Sequence, residues 1–182
     1  MRMAEVSKLV QIPDDVEATI ENRKVTVKGA KGTLTRDFSH APISIEPDGK
    51  TIRILAEWPR KKETALVGTV YSHIQNMITG VSKGYTYKLK IVFSHFPISV
   101  KLKERTILIE NFTGERSPRK VRVLGDAQVK VQSEDIIVQG INLEDVSQTA
   151  ANIEQSTKVR RKDPRVFLDG IYVYERTEGM EQ

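Results

Sequence analysis

Residues 63–92, ETALVGTVYSHIQNMITGVSKGYTYKLKIV, change hydrophobic period once, and that change decides the fold. Leu66, Val67, Val70, Tyr71, Ile74, Met77 and Ile78 recur at helical spacing, and Gly80 stands where a helix C-cap belongs. Gly84 then opens a strand, Tyr85 to Phe93, in which Tyr85, Tyr87, Leu89 and Ile91 share a face. An amphipathic helix leading into an alternating strand predicts an α+β domain, a helix covering one face of a small, mainly antiparallel sheet.

Upstream, Val16, Ala18 and Ile20 alternate with polar residues, and Val25 and Val27 continue the alternation into Gly29–Gly32, read as a tight turn. Leu34 to Phe38 is a further strand, and Ile43 and Ile45 run through Pro47-Asp48-Gly49, a hairpin turn, to Ile52 and Ile54. Downstream the same order returns. Val100 and Leu102, Ile107 and Ile109, Val121 and Val123, Val129 and Val131, and Ile136 and Val138 supply strands, with Ser133-Glu134-Asp135 as a hairpin. Leu143, Val146, Ala150 and Ile153 form a second helical stripe that Asn142 is placed to cap, and Gly170 opens a last strand as Gly84 did. Each half reads as strands, one helix, one strand, at an offset of about 80–86 residues. The expectation is two tandem duplicated α+β domains, 1–94 and 95–182, divided near Ser94–Phe96.

The halves differ between helix and last strand. The first crosses by Gly80–Gly84; the second crosses by Lys158–Asp169, longer and basic. Within residues 158–165, Lys158, Arg160, Arg161, Lys162 and Arg165 stand against one acid, Asp163; Pro164 bars helix there, and Val166, Phe167 and Leu168 are expected to anchor the segment in an apolar layer. A basic loop held at both ends presents guanidinium forks to phosphates. The other reading of such a run is a solvated charge cluster.

The chain carries net charge +5 with a sequence pI near 9.4, a balance that leans toward polyanionic partners. Its distribution is more telling than its total, because the excess lies in residues 1–93 while 94–182 are neutral but sorted. Residues 116–130 hold Arg116, Arg119, Lys120, Arg122 and Lys130 against Asp126, whereas 131–157 hold only acids, Glu134, Asp135, Glu144, Asp145 and Glu154. No apolar run approaches a membrane span, the first residues lack an apolar signal core, and cysteine is absent, which suits a cytosolic protein. The first ten residues and the tail Glu178–Gln182 read as frayed.

The order of elements, with residues 63–92 and QTAANIEQSTKVRRKDPRVFLDGIYVYE (148–175), closely resembles the large-subunit ribosomal protein L-six family. The longer basic loop and the KDPRVFLDGIY run (162–172) are similar to its archaeal and eukaryotic branch. The likeness extends from about Gln11 to Arg176. It implies two copies of one α+β domain, with large-subunit rRNA contacted mainly by the C-terminal copy, in the cytoplasmic ribosome. It also implies a seat beside neighbouring ribosomal proteins, near the sarcin–ricin region and stalk base where translation factors dock. Carried over by position, it implies rRNA contacts at Lys158, Arg160, Arg161, Lys162 and Arg165, at Gly114, Arg116, Arg119 and Lys120, and at Lys83 and Gly84. Lys83 has a second reading, a cation favoured at a helix C-terminus.

No enzyme, cofactor, metal or small-molecule substrate is expected. His40, His73 and His95 lack metal-ligand spacing, and Ser39-His40 and Ser94-His95 are neighbours in sequence without triad geometry. Glu144-Asp145 fits the first turn of a helix, and no glycine-rich stretch has a Walker or dinucleotide pattern. Trp58, Tyr85 and Tyr87 offer stacking faces, although their places in strands and helix entry favour the core. The alternative to RNA binding is a protein-interaction scaffold that uses the acidic 131–157 surface.

Overall fold

The structure, a computed structural model, describes residues 5–160, 163 and 165–180. The chain divides into two compact units between Lys83 and Gly84. In the first, β1 (Glu5–Gln11), β6 (Thr51–Glu57) and β5 (Ser44–Asp48) form one antiparallel sheet in the order β1-β6-β5. β2 (Glu17–Glu21), β3 (Lys24–Gly29) and β4 (Gly32–Asp37) form a second, a meander. Helix α1 (Lys61–Ser82) closes the core with Val67, Val70, Ile74, Met77, Ile78 and Val81, three or four residues apart on one face, packed with Val10, Ile52, Ile54, Val25 and Val27. The expected turn at Gly29–Gly32 docks on the end of this helix, where Lys31 N–H donates to Val81 O at 2.9 Å.

The second unit repeats the plan. β7 (Tyr85–Val92), the meander β8 (Ser99–Lys103), β9 (Thr106–Glu110) and β10 (Arg119–Arg122), the hairpin β11 (Gln128–Gln132) and β12 (Asp135–Gly140), and α2 (Leu143–Ser156) follow in the order of β1 to α1. β12 lies between β7 and β11 as β6 lies between β1 and β5. Asn142 caps α2 as expected, its Oδ1 accepting Glu144 N–H at 3.1 Å.

This alignment corrects the repeat read from sequence. The strand 85–92 does not end the first copy: its Leu89 and Ile91 are buried with Ile136, Val138 and Ile171, so it begins the second, and the boundary falls before it rather than after Ser94. Its counterpart is β1, in a stretch expected to fray; β1 pairs along its whole length with β6, and Val10 is fully buried opposite Ile52. β13 (Gly170–Glu178) then has no counterpart and adds to the free edge of β7, so the tail is ordered through Glu178. Gly80 is a buried helical residue rather than a cap. Trp58 is 65% exposed, not core; Tyr85 is buried and Tyr87 half-buried.

Because β1 alternates faces, its two central apolar residues should respond in opposite ways. Val10→Asp, placing a charge in a dry layer, is expected to cost the first unit more than about 3 kcal/mol. Leu9→Asp, at a position 56% exposed, is expected to stay within about 0.5 kcal/mol. Urea melts of both variants check this, and equal effects would show that β1 does not pack as described.

Candidate nucleic-acid interface

The basic loop leaves α2 at Thr157, which is 2% exposed. The Thr157 hydroxyl donates to Glu154 O at 3.1 Å, a carbonyl that also accepts the Thr157 N–H at 3.2 Å, and the same hydroxyl accepts Ile171 N–H at 3.0 Å. One side chain thereby ties the start of the loop to the strand that receives its end.

The far foot is Asp169, 1% exposed. Its Oδ1 accepts Ser94 N–H at 2.8 Å and His95 N–H at 3.1 Å, and its Oδ2 lies 2.8 Å from His95 Nδ1 and 3.3 Å from Ser94 Oγ. Burial alone would raise the carboxyl pKa; the backbone bonds and the His95 ring outweigh it and hold Asp169 well below its ordinary value. Phe167 stacks on His95 with ring centroids 4.6 Å apart. Ser94, His95 and Asp169 do not form a relay: hydroxyl and carboxylate both meet Nδ1, where a triad needs them on different ring nitrogens.

Between these feet Lys158, Arg160 and Arg165 are exposed, and none of their side chains has a partner among the described residues. Asp163 organises the bend, its Oδ1 accepting Arg165 N–H at 2.9 Å and its carbonyl accepting from Val166 and Phe167. Arg161 and Lys162, expected contacts, and Pro164 lie outside the described residues. The apolar anchor is narrower than expected. Val166 and Leu168 are 60% and 55% exposed, and Phe167 with Asp169 holds the segment.

The second basic loop meets the first. Arg119 and Val121 face α2 from β10, and the Arg119 guanidinium lies 4.2 Å from the Phe112 ring centroid. Its Nε donates to Glu115 Oε2 at 2.8 Å, a second bond reaches Oε1, and Nη1 donates to Ser156 O at the end of α2. These bonds hold Glu115 below its ordinary pKa. A guanidinium so engaged is a brace under the first loop rather than a free phosphate contact. Glu115, Arg119, Ser156, Lys158 and Arg160 line one cleft of about 470 Å³. Arg116 is exposed with no side-chain partner among the described residues, whereas Lys120, one residue along the strand from Arg119, points to the other face of the sheet. Gly114, at φ +80°, is exposed beside the Phe96 ring.

Lys83 is exposed just past α1, its N–H capping Thr79 O at 2.8 Å. Gly84 is buried at φ +81°, Met180 fills the space a Cβ would need, and its carbonyl accepts Gly179 N–H. Its buried place beside Met180 is one of packing. The acids of 131–157 do not form one face either. Glu134 and Asp135 stand at the start of β12 and pair with Lys90, Glu144 and Asp145 lie in the first turn of α2, and Glu154 accepts Val173 N–H.

Comparison with known proteins agrees with this architecture. The family model for ribosomal protein L6 matches residues 12–84 and 96–170, one match in each copy. The chain is 52% identical over 177 residues to the large ribosomal subunit protein uL6 of Ignicoccus hospitalis, covering 94% of this chain and 95% of that one. It is 47% identical over 182 residues to the uL6 protein of Desulfurococcus amylolyticus, covering 98% and 99%. The uL6 protein of Methanosphaera stadtmanae is also 47% identical, over 179 residues.

Asp169 yields a pH test. Its folded pKa lies below the ordinary 3.8, so the bonds it accepts stabilise the fold above that value and are lost as pH falls through the lower folded one. Asp169→Asn is expected to lower stability at neutral pH by about 1–3 kcal/mol and to flatten the acid limb below about pH 4. Urea melts across pH measure both, and acid limbs of equal slope would mean the carboxylate is not engaged.

Proposed function

Because the chain belongs to the ribosomal protein L6 family, we propose that it grips large-subunit rRNA through the exposed cations of its second unit. It is a structural, non-enzymatic constituent of the large ribosomal subunit. Lys158, Arg160 and Arg165 are the principal phosphate contacts, with Arg161 and Lys162 continuing the same run and Arg116 at the neighbouring loop. Lys120, on the other face of its sheet, and Lys83, in the first unit, are secondary. The seat is near the sarcin–ricin region and stalk base, among neighbouring ribosomal proteins and within reach of docking translation factors.

The observation that carries this reading is the pairing of free cations with an engaged one. Lys158 and Arg160 share a cleft with Arg119, whose guanidinium is tied to Glu115 and Ser156. Cations left without acid partners on a braced loop suit phosphate oxygens supplied from outside. RNA shape rather than a base code would then set the fit. The scaffold alternative is weaker, since its acids are dispersed and several already have partners.

A salt series on large-subunit rRNA fragments tests the reading. Replacing Lys158, Arg160 and Arg165 with Gln is expected to leave the fold intact and to reduce the salt slope of log K by about 0.7–0.9 per lost contact. Arg119→Gln is expected instead to lower the melting temperature, with little change in slope where the protein is folded. An unchanged slope in the triple variant would move the RNA surface elsewhere.

A further inference from the structure

A second cleft lies under the basic loop and differs in chemistry from the first. It measures about 370 Å³, and among its walls are Phe167, Tyr172, Val159, Gln155, Glu154 and Lys158. Two aromatic rings are fixed there. Phe167 is backed by His95, and the Tyr172 hydroxyl donates to Leu168 O at 3.2 Å, which holds a ring that is 43% exposed. Polar groups remain beside them. The Gln155 amide makes no hydrogen bond among the described residues, and Glu154 uses Oε1 for Val173 N–H while its other oxygen is unbonded among them. Lys158 is common to this cleft and to the cation-lined one.

We infer that this cleft receives one unstacked RNA base, and that the base carries an exocyclic amino group. The inference rests on the rRNA reading above and adds a base-reading subsite to a surface otherwise limited to phosphate contacts. Each part of a nucleotide has a counterpart of suitable chemistry. The aromatic rings suit a base π-face, and such stacking is a main source of affinity for unpaired bases. The free Glu154 oxygen accepts from an exocyclic amino group, as carboxylates do from cytosine N4, and the Gln155 amide both donates and accepts, the pattern that matches adenine. Lys158 at the shared wall suits the phosphate of the same nucleotide. Uracil, with no amino group, offers the carboxylate only its N3–H, flanked by two carbonyl oxygens that repel it. A peptide segment would find the same apolar walls, but a surface whose exposed cations lack acid partners favours a polyanion.

The test uses the full chain and short single-stranded oligo(A), oligo(C) and oligo(U), read by fluorescence anisotropy at several salt concentrations. Oligo(A) or oligo(C) is expected to bind roughly tenfold tighter than oligo(U), a difference typical of one good polar pairing. Gln155→Ala, at an exposed position that leaves the fold unchanged, should erase much of that preference, and Phe167→Leu should weaken all three by roughly tenfold with the salt slope kept. Thermal melts confirm that both variants are folded. Equal binding of the three oligonucleotides by the wild type, or a preference that survives in Gln155→Ala, overturns the base site. If RNA is bound with a salt slope but no preference, only this inference fails. If no RNA binds at low salt, the rRNA reading fails with it.

Discussion

The second unit depends on β7 being paired along both edges. With β12 on one side and β13 on the other, it is the central strand of a four-stranded sheet, and its Leu89 and Ile91 are among the core's buried side chains. A strand that must return to the far edge of β7 forces the chain, after α2, to cross from one side of the sheet to the other. The basic segment is that crossing. Its ends are therefore fixed by sheet pairing before any of its own residues is specified, and Thr157 and Asp169 fasten it where it departs and arrives.

A loop fixed at both feet spends little conformational entropy on holding its cations ready. Among its described residues, Val166 and Leu168 remain in water, and Asp163 shapes the bend by hydrogen bonds. The rigid parts and the charged parts are thus different residues. Arg119 shows the distinction most clearly. It has the same side chain as Arg160 and Arg165 but is engaged by Glu115, Ser156 and Phe112, so identical chemistry serves as a brace in one place and as free charge in the others.

Much of the fold was legible in hydrophobic period. The stripes of α1 and α2, the hairpins and the Asn142 cap depend on neighbours close in sequence, and spacing reveals those. The ownership of residues 85–92 was not legible, because alternation marks a strand without naming its partner; only pairing with β12 and β13 decides it. β1 was missed for a related reason: EVSKLVQ is polar except at a few positions, and the burial of Val10 is created by β6, about 40 residues away. At the candidate interface, charge density pointed to Lys158, Arg160 and Arg165, which are exposed in the structure. It could not separate Arg119 from them, since engagement is a matter of geometry. The role of Asp169 was not legible either, because its partners Ser94 and His95 lie some 75 residues earlier.

The absence of a β13 counterpart in the first unit sets an order on how the two copies are completed as the chain is made. The first unit is contiguous and holds every strand it needs once α1 has emerged. The second cannot cover the outer edge of β7 until its last strand has been synthesised, so through most of its production that edge presents unpaired N–H and C=O groups. The matching edge of β1 in the first unit gains no strand among the described residues, so the two copies of one fold differ in fate: one keeps an open sheet edge in the finished protein, and the other closes its edge last.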